Sequence, residues 1–426
     1  MKAKKIFGGI FFATLLSFGI AQGIVAAQYF TDGTSPVTNL PPGLKFDPSK
    51  SLTSDNSGLN PGYMITPPPN TRPVDPNDPL PNVTATSAVV IEASTGHIIY
   101  SRNADQQMFP TSTTKMATLI MALESGKISE IVNISTNASG TEGSTLWLEP
   151  NEKIPLNDLL YGMIMVSAND ASIAVAEHVD GSVQNFVEHM NQRAAELGAT
   201  GTHFNNPHGL PDNNHYTTAH DLALLAVHGY TLPGFEEIVS AQEASFGWIH
   251  DKTKTLHTEN QMLWLYRGSN GIKHGSTKNS GRCVISAAKR DGIQIIAVIL
   301  DSLYMWNDSI YLLDYGFANV KPETLVSSVN VVKTLPVVSG RRKSMPVKTA
   351  SDIVVPIFQN DSDAYQIEYD LPEFLTAPVK INETIGKAHV ICDGKEIAST
   401  DIITTADVEH KSFFRWLVNK IHNFLA

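Results

Sequence analysis

The chain has 426 residues, of which 42% are hydrophobic and 17% are charged, and its formal net charge is −11. This length is enough for two or three domains that each bury a hydrophobic core. The acidic balance argues against nucleic acid as a partner, because phosphate binding needs a basic face.

Residues 1–27 have the features of a secretory signal peptide. Lys2, Lys4 and Lys5 precede an apolar stretch over Ile6–Val25, and Val25–Ala27 supplies small residues for cleavage. Because the apolar stretch is long, an uncleaved N-terminal anchor is the alternative. In either case we expect the rest of the chain to be exported.

Cysteine is scarce in this exported chain, which contains only Cys283 and Cys392. A disulfide framework therefore does not hold the protein together. The two residues fall in different predicted domains, so we expect two buried free thiols rather than a bridge.

Residues 28–85 are rich in Pro, Asn, Asp, Gly and Ser, and we interpret them as an extended or disordered spacer. From residue 86 to 320 the pattern predicts an α+β domain in which an antiparallel sheet packs against helical layers. Its strands are expected at 88–92, 97–100, 130–135, 282–287 and 293–300, with a hairpin over 248–264. Its helices are expected at 116–124, 156–166, 171–179, 183–197, 218–227 and 310–317.

A second, all-β domain is predicted over residues 321–405. Its short strands are expected at 325–338, 345–347, 353–358, 365–369, 379–381 and 389–391. Residues 406–426 end the chain, and there Phe413, Leu417 and Phe424 gather on one helical face with Lys411 and Lys420 among the polar groups. This pattern is typical of an amphipathic helix lying on an anionic membrane surface, and a helix that caps the β-domain is the alternative.

The stretch Phe109–Lys115 places a serine and a lysine at the start of a predicted helix. Ser112 and Lys115 are three residues apart, so their side chains share a face of the first turn. A serine there lies beside backbone N–H groups that have no intrahelical partner. A nearby amine can accept its proton if burial or another cation lowers the lysine pKa. The pair therefore indicates an activated serine nucleophile.

Two later segments carry polar groups that complete such a site. Ser167 can relay a proton between a lysine and a leaving group, while the Asn169 amide can hold a substrate backbone. Lys273 can bind an anionic substrate end, and Gly275 lets a backbone approach closely. An extended peptide can then dock along this predicted strand edge by strand addition.

The order Ser-x-x-Lys, Ser-x-Asn and Lys-x-Gly resembles the penicillin-binding proteins and serine β-lactamases. Within that group the chain is similar to the low-molecular-mass D-alanyl-D-alanine carboxypeptidases over about residues 86–317. Further short segments are also similar to the family, namely residues 110–115, 159–162, 176–179, 204–212, 215–225 and 314–317. The trailing β-domain and the terminal amphipathic helix are similar to what such enzymes carry.

The resemblance implies a mechanism and a role for each residue. Ser112 is the nucleophile, Lys115 its base, and Ser167 the proton relay to the departing D-alanine. Asn169 holds the peptidoglycan stem peptide, Lys273 binds its terminal carboxylate, and the backbone N–H groups of Ser112 and Ser276 form the oxyanion hole. No metal or organic cofactor is implied, and β-lactams are expected to acylate Ser112.

The third motif departs from the family because His274 stands where threonine or serine is usual. The family's hydroxyl helps the lysine hold the carboxylate, whereas an unperturbed imidazole changes charge between about pH 5 and 8. We therefore expect reduced or pH-dependent turnover. Asn270, where these enzymes commonly have aspartate, is a milder change.

Other interpretations are weaker. A zinc site at His208, His215 and His220 lacks helical ligand spacing, so loop and cap roles are expected for these histidines and for Asp212 and Asp221. A β-lactamase needs a Glu-x-x-Leu-Asn pattern that the segment at Glu196 does not provide. A penicillin- or peptidoglycan-binding module without turnover and a D,D-endopeptidase remain as alternatives.

Overall fold

The computed structural model describes residues 45–46, 63–64, 81–247, 254–358 and 365–411, together with residues 421, 422 and 424. The predicted signal peptide, most of the predicted spacer and most of the predicted C-terminal helix lie outside these residues. Two short strands, Lys45–Phe46 and Tyr63–Met64, pair with each other ahead of the main fold. Within the described part of the chain, no helix is both long and apolar enough to cross a membrane.

The first domain has strands at both ends of its segment and most of its helices between them, as the hydrophobic pattern predicts. Its strands are β1 (Ser87–Glu92), β2 (Ile98–Arg102), β3 (Ile131–Asn133), β4 (Lys153–Pro155), β5 (Glu243–Phe246), β6 (Lys254–His257), β7 (Ser269–Thr277), β8 (Gly281–Arg290) and β9 (Ile293–Ser302). Its helices are α1 (Thr114–Glu124), α2 (Thr136–Ser139), α3 (Leu156–Met165), α4 (Asn169–Asp180), α5 (Val183–Glu196), α6 (Ala219–Gly229), α7 (Phe235–Val239), α8 (Met262–Leu265) and α9 (Met305–Asn319).

A five-stranded antiparallel sheet in the order β2-β1-β9-β8-β7 forms the centre of this domain. One face of the sheet packs against α1 and the helices α3–α7, with Met116 and Phe186 in that core, while α8 contributes Met262 and Leu265 to the other. The opposite face packs against α9 through Leu312 and Leu313. Both faces are covered, which explains why β9 reads as a nearly continuous apolar run. The predicted α+β architecture is confirmed, and β7 is an edge strand of this sheet.

The second domain is all β, as predicted. Its strands are β10 (Val320–Val326), β11 (Val331–Val338), β12 (Ser344–Thr349), β13 (Ile353–Phe358), β14 (Tyr365–Asp370), β15 (Leu375–Thr376), β16 (Thr384–Cys392) and β17 (Lys395–Thr404). Six of them form a sheet in the order β14-β16-β17-β12-β11-β15, while β10 pairs with β13. Fourteen buried apolar residues, among them Val347, Val390 and Ile402, form a separate core.

Several predicted boundaries are wrong. The single strand predicted over 325–338 is divided into β10 and β11, and Val379 makes only an isolated bridge to Val408 instead of a strand. The predicted hairpin over 248–264 is displaced, since its strands are β5 and β6 and residues 262–265 are helical. No bridge joins the two cysteines, and Cys283 is buried whereas Cys392 is only half-buried.

Candidate active site

The start of α1 presents Ser112 at the surface and buries Lys115. A 3-10 turn at Thr111–Thr113 follows Pro110 and leads directly into α1, where Met116 and Leu119 anchor the helix in the core. Ser112 is partly exposed, and the Lys115 side chain is completely buried. The predicted pairing is confirmed because Lys115 Nζ lies 3.2 Å from Ser112 Oγ.

The Lys115 amine has two further polar neighbours. Its Nζ donates to Asn169 Oδ1 at 2.8 Å and to the backbone oxygen of His208 at 2.7 Å. Burial lowers the pKa of Lys115 well below its usual value, and the charge of Lys273 lowers it further, although Asp170 and Glu259 oppose this shift. A neutral amine has two N–H groups for these two oxygens. Its lone pair is then available to accept the Ser112 hydroxyl proton.

The second motif lies at the start of α4. Ser167 is buried and has a left-handed backbone (φ 62°), two residues before Asn169. Asn169 Nδ2 donates to the backbone oxygen of Glu142 at 2.7 Å, while Oδ1 accepts from Lys115. Both ends of the Asn169 amide are thus engaged with the protein, so this residue also orients the Lys115 amine.

The third motif lies on β7, the edge strand beside Ser112. Lys273 is buried, and its Nζ donates to the backbone oxygen of His274 at 2.9 Å. Burial lowers the pKa of Lys273 to about 8, against the opposing charge of Glu259. A Cβ added at Gly275 would lie 2.8 Å from both Ser112 Cβ and Ser112 N. Only glycine allows this approach, and Ser276 follows it at an exposed position.

The His274 ring lies apart from the other predicted site residues. His274 is opposite Val284 of β8 and its ring lies 5.2 Å from the Trp306 ring of α9, whereas Lys273 is opposite Ile285 on the face that packs toward α1. Neighbouring residues of a strand point to opposite faces, so the imidazole points away from the Ser112 side.

The prediction that His274 changes charge between pH 5 and 8 is wrong. Burial first, and then the charge of Lys273, lower the pKa of His274 to about 3. The ring is therefore neutral over that range, and its buried Nδ1 has no hydrogen-bond partner among the described residues.

Two groups that act on Lys115 were not predicted from the sequence: the charge of the Asp170 carboxylate and the backbone carbonyl of His208. The buried Asp170 follows Asn169 and accepts hydrogen bonds from the backbone N–H groups of Leu146 and Leu148. An acidic residue in the first turn of a helix is a signal that could have marked it. The His208 carbonyl carries no signal in the sequence, because every residue has one.

The histidines and aspartates for which a zinc site was rejected form hydrogen bonds within the protein. His215 Nδ1 accepts from Asn205 N–H, so its Nε2 is protonated and donates to Thr114 Oγ1 at 2.8 Å. Asp212 accepts from the N–H of Asn214 in a turn, and Asp221 lies in the first turn of α6. The predicted turn and helix-start roles of Asp212 and Asp221 are confirmed.

Comparison with known proteins agrees with this geometry. The sequence profile of the D-alanyl-D-alanine carboxypeptidases, peptidase family S11, matches residues 73–303, which is more than half of the chain. The chain belongs to this family. The profile of the penicillin-binding protein 5 C-terminal domain matches residues 321–410 of this family member.

Individual members of the family are similar over most of their length. The D-alanyl-D-alanine carboxypeptidase DacA of Haemophilus influenzae is 32% identical over 357 residues, which cover 79% of this chain and 90% of the relative. DacF of Bacillus subtilis is 29% identical, and the match covers 78% of this chain and 88% of the relative. The crystal structure of penicillin-binding protein 5 from H. influenzae aligns with a TM-score of 0.55 at 30% identity, over 79% of this chain and 100% of that one.

Proposed function

We propose that this family member is a serine-type D-alanyl-D-alanine carboxypeptidase that removes the terminal D-alanine from peptidoglycan stem peptides. The observation that carries the proposal is the 3.2 Å distance between Ser112 Oγ and the Nζ of a buried lysine whose pKa is lowered. A lysine in this state is a base within reach of the serine proton.

In the proposed acylation, Lys115 accepts the Ser112 proton as Oγ attacks the carbonyl between the last two D-alanines. The charge that develops on the carbonyl oxygen is held by the backbone N–H groups of Ser112 and Ser276. Ser167 passes a proton to the departing amine, and Lys273 attracts the terminal carboxylate. Its neighbour His274 contributes through its backbone oxygen, which orients the Lys273 amine.

Hydrolysis of the acyl-enzyme completes the proposed cycle. Water, activated by Lys115, attacks the ester carbonyl and releases the shortened peptide from Ser112. Asn169 holds Lys115 in place through Oδ1, and it reaches the peptide if its Nδ2 exchanges the Glu142 carbonyl for substrate. These steps use side chains and backbone groups of this chain together with water, and they require no cofactor. A β-lactam that mimics the D-alanyl-D-alanine end acylates Ser112 by the same first step.

We also propose a location for the reaction. The signal-like residues 1–27 direct export, the spacer over 28–85 separates them from the catalytic domain at 86–320, and the β-domain over 321–405 leads to an amphipathic segment at 406–426. The enzyme then works at the outer face of the cytoplasmic membrane as a peripheral protein.

The test is D-alanine release from diacetyl-L-lysyl-D-alanyl-D-alanine, together with labelling by fluorescent penicillin. We expect the wild-type protein to do both and Ser112→Ala to do neither, with D-alanine release reduced at least about 10³-fold. Labelling of Ser112 without D-alanine release would instead favour a binding module, and cleavage of dimeric muropeptides would favour an endopeptidase. No labelling and no release from well-folded wild-type protein would contradict the proposal.

A further inference from the structure

The loop between α2 and β4 is tied to the first two residues of α4. Asn169 N–H donates to the Ser144 oxygen at 2.7 Å, and Asn169 Nδ2 donates to the Glu142 oxygen at the same distance. The neighbouring Asp170 carboxylate accepts from Leu146 N–H at 3.0 Å and from Leu148 N–H at 3.2 Å. The loop is therefore held by the same helix start that orients Lys115.

This loop presents one large aromatic side chain to solvent. Trp147 is 75% exposed, although Leu146 and Leu148 on either side are 2% and 4% exposed. Leu146 lies against Gly162 of α3, where a Cβ would overlap its side chain. The two buried leucines and the Asp170 carboxylate thus fix the backbone from which the indole projects.

The conformation of Trp147 is unfavourable for its own residue type. Its φ of 62° lies in the left-handed region, which bulky residues seldom adopt, and its exposed indole gains nothing from burial. Among the tryptophans that the structure describes, Trp264 and Trp306 are partly buried against the core. An exposed aromatic side chain on a loop whose backbone is fixed, and which contacts Asn169 of the site, is typical of a binding surface.

We infer that the Trp147 indole packs against the stem peptide upstream of its D-alanyl-D-alanine end and selects for a long side chain at the preceding residue. This inference rests on the proposed function. In the proposed mechanism Ser112 and Lys115 act on the carbonyl at the reacting end, and Lys273 binds its carboxylate. The residue before the D-alanyl-D-alanine end still lacks a binding partner in this mechanism. The methylene chain of a long side chain there can pack against the flat face of an indole.

The stem peptide is the expected ligand of Trp147 because the Trp147 loop adjoins the active-site cleft. Hydrogen bonds run from Ser112 through Lys115 and Asn169 to the backbone of the Trp147 loop. Gly143 of the same loop lies against the Asn169 amide, so the loop lines the cleft at the second motif. In this proposal the upstream part of a peptide docked along the edge of β7 lies beside the loop. Trp147 is then a specificity residue and takes no part in proton transfer.

The experiment compares two substrates on the full exported chain. Diacetyl-L-lysyl-D-alanyl-D-alanine has a long side chain before the scissile unit, and acetyl-L-alanyl-D-alanyl-D-alanine has a methyl group there. We expect Trp147→Ala to lower kcat/KM about tenfold for the lysyl peptide, mainly through KM, and less than about twofold for the alanyl peptide. Trp147→Phe should keep most of the wild-type kcat/KM for the lysyl peptide, because it retains an aromatic ring. Phe374→Ala, which removes another exposed aromatic ring in the β-domain, is the matched control and should change neither peptide.

An equal loss on both peptides, or no loss on either, would overturn the inference while leaving D-alanine release by the wild-type protein intact. Absence of release by the wild-type protein would instead count against the proposed function. For that case, calorimetry on the Ser112→Ala background measures lysyl-peptide binding without turnover. There the added Trp147→Ala change should raise Kd about tenfold, and an unchanged Kd would reject the role of Trp147.

Discussion

Two buried lysines perform different tasks at the residue scale. Burial and the charge of Lys273 favour the neutral form of Lys115, which suits a base. Lys273 keeps its charge up to about pH 8, because burial lowers its pKa to about 8 against the opposing charge of Glu259. The cation that attracts the substrate therefore also helps to keep the base deprotonated. This influence runs in one direction, because the pKa of Lys273 is set by burial against the charge of Glu259.

The pKa of Lys273 leads to a testable alkaline limit. Below about pH 8 the amine is protonated and attracts a carboxylate, and above that pH it is neutral and does not. We expect kcat/KM, which reports on the free enzyme, to fall as the pH rises through about 8. Lys273→Arg, whose guanidinium stays charged, should move this fall to a higher pH even if its overall activity is lower. An alkaline fall at the same pH in both proteins would contradict the assignment.

For His274 we predict the absence of a pH effect. Because its ring is neutral above about pH 3 and faces α9, its replacement should not alter the pH dependence between pH 5 and 8. We expect the kcat/KM profiles of the wild-type protein and His274→Thr to be superimposable in shape over that range. A step near pH 6.5 that is present in the wild-type protein and missing in the variant would show that the imidazole titrates at the site.

Without the family resemblance, the site residues that could be predicted to meet are those close together in the chain. Ser112 and Lys115 are one helical turn apart, so the sequence alone indicates that they meet. The direction of the His274 ring depends on which β8 residue lies opposite it, and this register belongs to the tertiary structure. The sequence spacing contains no such information.

At the scale of elements, the edge of β7 and the 3-10 turn before α1 form one wall of the cleft. Gly275 is the contact between them, and a Cβ at this position would lie 2.8 Å from Ser112 Cβ and Ser112 N. We expect Gly275→Ala to push the strand from the nucleophile and to lower the rate of penicillin acylation about 100-fold or more. Acylation at the wild-type rate would mean that the turn can shift without cost.

A control separates this effect from a general sensitivity to lost glycines. Gly247 is exposed, and a Cβ there would have no heavy atom within 4 Å. Gly247→Ala should acylate as the wild-type protein does. Both variants should unfold at similar temperatures if the effect of Gly275→Ala is confined to the cleft, and differential scanning calorimetry measures this.

The hairpin of β16 and β17 shows which secondary structure could be predicted from the sequence and which was overlooked. The strand β17 was missed, although Asp393-Gly394 separates it from β16 by two residues that both adopt positive φ. Asp-Gly between two strand-like runs is a strong signal for a tight hairpin. The helices of ten residues or more in the catalytic domain were easier to predict because their apolar periodicity repeats over several turns, whereas the shorter α2, α7 and α8 were not predicted. The short strands of the β-domain offer few positions on which a period can be recognised.

At the scale of the whole molecule, the β-domain holds the backbone as far as Lys411. Lys411 N–H donates to the Ser339 oxygen, and His410 forms a bridge with Gly340. The backbone is thus fixed to the turn between β11 and β12 up to Lys411, directly before the segment over 412–426. A chain that ends at Lys411 retains the residues that make these contacts, so we expect the described β-domain to stay folded without the terminal segment.

We therefore expect removal of residues 412–426 to abolish membrane binding and to preserve catalysis. The exported chain should co-sediment with vesicles that contain phosphatidylglycerol, because Phe413, Leu417 and Phe424 can enter the interface while Lys420 faces anionic lipid. The truncated chain should remain in the supernatant and release D-alanine from a soluble peptide at the wild-type rate. Binding of the full chain should weaken in vesicles of phosphatidylcholine alone and at high salt, since both reduce the attraction of the cations. If the truncated chain instead binds the vesicles as well as the full chain, the segment is not the anchor, and a loss of thermal stability on truncation would place it against the β-domain.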